Sequence, residues 1–181
     1  AVDLSPIAIE RSRDAARRQG VEDMIDFRVM NAEALDFPND SFGLICGDGI
    51  IHHLDLDAAF AEVARVLEPG GRAIFREPMG HNPAINLYRR LTPAERTDDE
   101  HPLVLRDLDV AQRYFGQVRA RCFHVSVLGA IPFRDTRAFP YMHRALDAAD
   151  RALMRAIPPL RAWAWLMVMQ LSEPRLHTAR P

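Results

Sequence analysis

The sequence predicts an α/β fold built on a parallel sheet, and three observations carry that prediction. Strand-like and helix-like patterns alternate three times over residues 1–77. The runs at 42–48 and 72–77 are short, apolar and bounded by turn residues. A long, Pro-punctuated connection then breaks the rhythm before two further strand-like runs. At 181 residues, 48% apolar and 27% charged, the chain has the length and composition of one globular domain with its own core.

The elements follow in order. Ala1, Val2 and Asp3 read as the last step of a strand entering a helix. Ser5 can cap the open N–H groups of a helix over 5–19, Pro6 fits its first turn with no donor to lose, and Gly20 supplies a left-handed stop. Ile25, Phe27 and Val29 alternate with Asp26, Arg28 and Met30, the period of a strand over 25–30 with one wetter face. The polar NAEALDFPNDS is a loop, and FGLICGD at 42–48 is expected to be a buried strand. Phe60, Val63, Ala64 and Leu67 fall on one face of a helix over 57–68, with Asp55 or Asp57 available as cap. EPGG stops this helix, and RAIFRE at 72–77 forms the next strand.

Beyond Glu77, PMGHNPAINLYRRLTPAERTDDEHPL is expected to be a lid or substrate-facing insertion with a short helix near 84–91. A helix near 107–115 follows, then a strand at 118–128 with Arg119, Arg121 and Ser126 on its exposed face. Leu146, Ala149, Leu153 and Ile157 line one side of a last helix, while Asp147 and Arg151 pair on the other at i, i+4. AWAWLMVMQL at 162–171 is far short of the ~20 residues of a membrane-spanning helix and reads as a buried strand, with Trp163 and Trp165 in the core.

All 23 basic residues are Arg, a bias that reads as coding composition and not as a nucleic-acid signal. Residues 1–78 hold 8 Arg and 15 acids, a net of −7, whereas 79–181 hold 15 Arg and 10 acids, a net of +5. The second half could face an anionic substrate or a membrane surface; the blander reading is scattered solvated helix faces. Cys46 and Cys122 match neither a metal-ligand nor a disulfide spacing, so the expectation is a reducing cytoplasm and no bound metal.

In a doubly wound parallel sheet, ligands sit beyond the carboxyl ends of the strands, which puts Asp3, Asn31, Gly47-Asp48 and Glu77-Pro78 on one rim. A carboxylate at a strand end can accept from both hydroxyls of a ribose. Asn31 and the backbone of Ala32 can meet the polar edge of an adenine while Leu35 or Phe37 covers its face. With VDLSP at 2–6 and the run HHLDLDAAFAEVARVLEPGG at 52–71, residues 2–78 resemble the class I S-adenosylmethionine-dependent methyltransferases, small-molecule branch.

That resemblance implies a Rossmann-like doubly wound sheet closed by an antiparallel C-terminal strand pair, with 162–171 lying between 72–77 and 118–128. It implies that Asp3 holds the ribose of S-adenosyl-L-methionine, with Leu4 also at the cofactor, Asn31 and Ala32 the adenine, and Gly47 and Asp48 the methionine part. It divides the chain into a cofactor half at 1–78, a substrate-facing insertion at 79–117, and a C-terminal strand pair and helix at 118–181. Two departures stand out: Asn31 replaces the usual Asp, and Gly43 stands where FD is common. The family's first strand and glycine-rich loop are not among these residues, so the chain reads as a fragment and is expected to be inactive by itself.

The acceptor is expected to be a small molecule and not nucleic acid, with no stable membrane insertion. His52, His53, Glu77, His81 and His101 are the candidates for a catalytic base, each with a structural role as the competing reading, and Tyr88 and Arg89 are candidates for the acceptor pocket. Two other readings stay open: a nicotinamide-dependent dehydrogenase, which also holds ribose with an acid after its second strand, and a non-catalytic remnant or partner-binding module.

Overall fold

Among the described residues, which are 1–92 and 101–175, the computed structural model places six β-strands and five α-helices. Residues 93–100 of the expected insertion lie outside that set. β1 (Val2–Asp3) enters α1 (Pro6–Arg18). The Ser5 hydroxyl accepts the Ala8 N–H at 3.3 Å, Pro6 begins the first turn, and Gly20 beyond the helix takes φ 69°. β1 pairs in parallel with β2 (Arg28–Val29). This is shorter than the strand expected over 25–30, because a two-residue partner can hold only two residues of that run; Glu22–Met24 just before it is a 3-10 turn.

β3 (Phe42–Asp48), α2 (Leu56–Val66) and β4 (Leu67–Pro78) form the next unit. Asp55 is the cap of α2, accepting the Ala58 N–H at 2.8 Å, while Asp57 turns to Arg113 and Tyr114, each at 2.9 Å. β3 and β4 run parallel with Leu44 opposite Arg72 and Asp48 opposite Arg76. Phe42 pairs with Leu67, so Glu68–Gly71 is pushed out of the ladder as an irregularity. A Cβ at Gly43 would stand 2.5 Å from the Glu68 carboxylate, the far end of a flexible side chain that can swing aside, so packing does not demand glycine there.

α3 (Pro83–Leu91) and α4 (Leu108–Tyr114) precede β5 (Phe115–Phe123), and α5 (Phe139–Ala156) precedes β6 (Leu166–Pro174). The sheet order is β3-β4-β6-β5, with β6 antiparallel to both neighbours. The central place expected for the 162–171 segment is therefore observed, with shifted bounds. Residues up to Trp163 form a 3-10 turn, and β5 stops at Phe123 because His124 takes φ 66°, a left-handed angle a strand cannot continue through. β6 buries Met167, Met169 and Leu171 and leaves the alternate positions half-covered, so one face is buried and not both.

Several expectations are corrected by the sheet and its helices. The parallel core expected of 25–30, 42–47 and 72–77 divides: β1 and β2 make a two-stranded sheet of their own. β3 is consequently an edge strand, not a buried one, with Leu44 60% exposed and Cys46 exposed. Among the described residues a cleft of about 480 Å³ separates β1 from β3. On α5 the expected apolar side is largely solvated, Leu153 and Ile157 among it. The helix is anchored by Met154 and by Asp150, whose carboxylate accepts the N–H groups of Val125, Ser126 and Val127 and the Ser126 hydroxyl. Trp163 is exposed and outside the core.

The core lies between the four-stranded sheet and α2 and α4. Phe60 meets Phe115 edge to face at 6.4 Å, and Ile51, Leu67, Met79 and Leu103 close around them. No described helix is long and apolar enough to cross a membrane.

Candidate active site

A cavity of about 340 Å³ opens at the carboxyl ends of β1 and β3. That size suits a small-molecule pocket. Asp3, Leu4, Asn31, Ala32, Gly47 and Asp48 all line it, although three separate connections of the chain supply them. Asp3 Oδ1 accepts the Ser5 N–H at 2.7 Å, and Oδ2 has no partner among the described residues. A carboxylate has about four lone-pair sites, so this one retains acceptors for a ligand's hydroxyl groups. Asn31 Oδ1 accepts the Glu33 N–H at 3.0 Å, which leaves its NH₂ as the free group: the side chain offers the cavity a donor. Gly47 is required by packing, because a Cβ would lie 2.6 Å from the Phe75 ring. Asp48 is held by Arg76 at 2.5 and 2.6 Å, and those hydrogen bonds keep its carboxyl below the usual range.

The loop that carries Asn31 and Ala32 has no regular structure to stiffen it, and α2 supplies the stiffness. Glu62 and Arg65 stand three residues apart and pair at 2.7 Å. Glu62 also accepts the Leu35 N–H at 2.8 Å, while Arg65 donates to the carbonyls of Leu35 and Phe37 and to Asn39. Glu33 reaches the Asp55 N–H at 2.8 Å and ties the same loop to the cap of α2. Arg65 holds the Glu62 carboxyl below its ordinary range against the opposing effect of burial. Sequence reasoning missed this clamp; the visible trace was Glu62 and Arg65 within EVARVLEPGG, one helical turn apart.

None of the five candidate bases lines the cavity. Glu77 is fully buried, and its carboxylate accepts the N–H groups of Ile50 and Ile51 at 3.1 and 3.0 Å. His52, also buried, places Nδ1 2.8 Å from the other Glu77 oxygen. The His52 carbonyl accepts the His101 N–H at 2.8 Å, and the His53 ring lies against His52 with centroids 4.0 Å apart, tilted by 40°. Glu77 and His52 therefore pin the turn after β3, whose Gly49, Ile50 and Ile51 form a cavity wall. His81 and His101 are exposed at the surface. Tyr88 is exposed as well, and Arg89 reaches the Met79 carbonyl at 3.5 Å.

Residues 1–75 match the family model described as Methyltransferase domain. Methyltransferase GfsG of Streptomyces halstedii is 42% identical over 71 residues, covering 39% of this chain and 26% of that protein. The ubiquinone/menaquinone biosynthesis C-methyltransferase UbiE of Pseudoalteromonas translucida is 37% identical over 76 residues, covering 41% of this chain and 30% of the relative. The matched stretch thus spans under a third of the length of these curated relatives. Among solved structures, the geranyl diphosphate C-methyltransferase of Streptomyces coelicolor A3(2), in complex with Mg²⁺, geranyl diphosphate and S-adenosyl-L-homocysteine, superposes with a TM-score of 0.61 at 14% identity, covering 95% of this chain and 62% of that one. The chain has the class I S-adenosylmethionine-dependent methyltransferase fold. Its residues 1–75 carry the methyltransferase-domain sequence.

Proposed function

We propose that the cavity between β1 and β3 binds S-adenosyl-L-methionine and that the protein passes its methyl group to a small-molecule acceptor. The observation that carries this reading is the convergence of Asp3, Asn31, Ala32, Gly47 and Asp48 on one cavity. In this reading Asp3 Oδ2 takes the ribose hydroxyls, with Leu4 beside it, and the Asn31 amide and Ala32 backbone take the adenine edge. Gly47 and Asp48 line the methionine end.

The cofactor supplies an activated methyl on a sulfonium centre, which an acceptor displaces in line. The chain's part is to hold the two in register, a contribution worth about 7–11 kcal/mol in well-oriented systems. Glu77 and His52 serve this as positioning residues, by fixing the wall after β3. The residues that line the cavity do the binding, and methyl transfer by residues 1–181 alone is expected at background, because among the described residues no ladder joins the sheet bearing Asp3 to the sheet bearing Asp48.

Calorimetric titration with S-adenosylhomocysteine tests the reading. Saturable binding that Asp3→Ala weakens at least tenfold, with no binding of NADH, supports it. Preference for NADH moves the protein to the dehydrogenase reading, and indifference to Asp3→Ala removes the pocket assignment.

A further inference from the structure

The positive second half of the sequence has a focus in the structure. A cleft of about 400 Å³ lies along the free edge of β5, between that strand and the end of α5 with the 3-10 turn that follows it. Four arginines line it: Arg121 from the strand, Arg151 and Arg155 from the helix, and Arg161 from the turn. Arg151 is paired with Asp147. Arg121 and Arg155 have no acid or hydrogen-bond acceptor among the described residues, and Arg161 donates only to the Met154 carbonyl at 3.3 Å. Three guanidinium charges therefore share one concavity with no acid among the described residues paired to them. The positive field reaches the floor: Arg161 opposes the upward shift that burial imposes on the Cys122 thiol.

Like charges gathered this way raise one another's energy, and water alone screens them only partly inside a concave surface. Elsewhere Arg17, Arg28, Arg65, Arg76 and Arg113 each face an acid. The cleft also has an apolar floor, made by Met154, which is buried, and half-buried Cys122. Planar guanidinium forks match the oxygens of a phosphate bidentately, and a dianion offsets more of three cations than a single carboxylate can.

We propose that this cleft is a binding site for a small organic phosphate, with the phosphate on Arg121, Arg155 and Arg161 and the carbon part against Met154 and Cys122. It lies three strands from β3 at the same end of the sheet, on the order of 14 Å away. It is thus separate from the cavity of Asp3 and does not depend on the methyl-transfer reading.

The test is calorimetry of the chain at low ionic strength with n-butyl phosphate and with inorganic phosphate. The expected result is saturable binding of the ester, at least fivefold tighter than the inorganic ion. The double substitution Arg121→Gln with Arg155→Gln should weaken it at least tenfold. Arg134→Gln, which is outside the lining of the cleft and paired with Asp135, should leave it unchanged. Circular dichroism checks that the variants fold, and S-adenosylhomocysteine titrations on them should match the parent, so the two sites fail independently. Equal affinity for the two anions means an adventitious anion only and overturns the proposal. So does binding that survives the double substitution, or displacement of the ester by a short DNA duplex of equal or greater affinity.

Discussion

Asp3 and Asn31 show how single side chains divide their hydrogen-bonding capacity between fold and ligand. Each gives one oxygen to the local backbone, Asp3 to Ser5 and Asn31 to Glu33, and each keeps the remainder for the cavity. In the proposed mode of cofactor binding, Asp3→Ala removes up to two charge-assisted hydrogen bonds, each worth roughly 1.5–3 kcal/mol. Affinity for S-adenosylhomocysteine should therefore fall at least tenfold in a calorimetric titration. Asn31→Asp preserves the bond to Glu33 and replaces a donor with an acceptor. If an adenine amino group lies there, the same titration should show affinity tightened or unchanged, whereas a tenfold loss would show that the Asn31 NH₂ is the contact that counts. Gly47 is explained by what stands opposite it, the Phe75 ring, a reason that cannot be read within the local sequence.

Two helices act through a polar side chain that reaches a loop. On α2, Glu62 and Arg65 hold the 31–41 loop; Glu62→Gln weakens the pair and the Leu35 N–H contact, and should cost about 1–3 kcal/mol in a urea titration. The pH dependence follows from the direction of the shift. Because the folded carboxyl titrates lower than the unfolded one, the unfolded chain takes up the proton first. The stabilisation is complete above the ordinary glutamate range, near 4, and is lost as the pH falls through the folded value. Glu62→Gln should flatten that acid-side decline in urea midpoints. On α5, Asp150→Ala leaves three backbone N–H groups without their acceptor, and a loss of ~3 kcal/mol is expected. Asp150→Asn, which retains one acceptor oxygen, should lose less in the same measurement.

At the scale of the whole molecule, the division into two sheets sets a gradient of stability. β1 and β2 form a ladder of two residue pairs, and an isolated two-stranded sheet is marginal in water. β4 and β6 lie inside the four-stranded sheet and supply much of the buried core. Native-state hydrogen exchange should therefore find the amides of Val2–Asp3 and Arg28–Val29 opening at low free energy, ahead of Ala73–Glu77 and Met167–Leu171, which should track global unfolding. Uniform protection across both sheets would show that the cleft between β1 and β3 is closed in solution. Binding of S-adenosylhomocysteine, which would bridge the two sheets, should raise protection of β1 and β2 selectively.

Much of this was legible in the sequence because the signals are local. The Ser5-Pro6 start, the Gly20 stop, the face of Phe60, Val63 and Ala64, and the bounds of 42–48 each depend on residues within a few positions of one another. The six cavity residues were legible through the motifs around them. What only the tertiary structure decided depends on pairing across long separations. Whether 42–48 is an edge or a centre, whether 25–30 finds a full-length partner, and which face of α5 is buried are set by neighbours 25 or more residues away. The same holds for the clamp of Glu62 and Arg65 on a loop some 27–30 residues earlier, and for the meeting of Arg121, Arg155 and Arg161. Periodicity reports that a side chain has an inside and an outside; only the completed packing says what stands there to meet it.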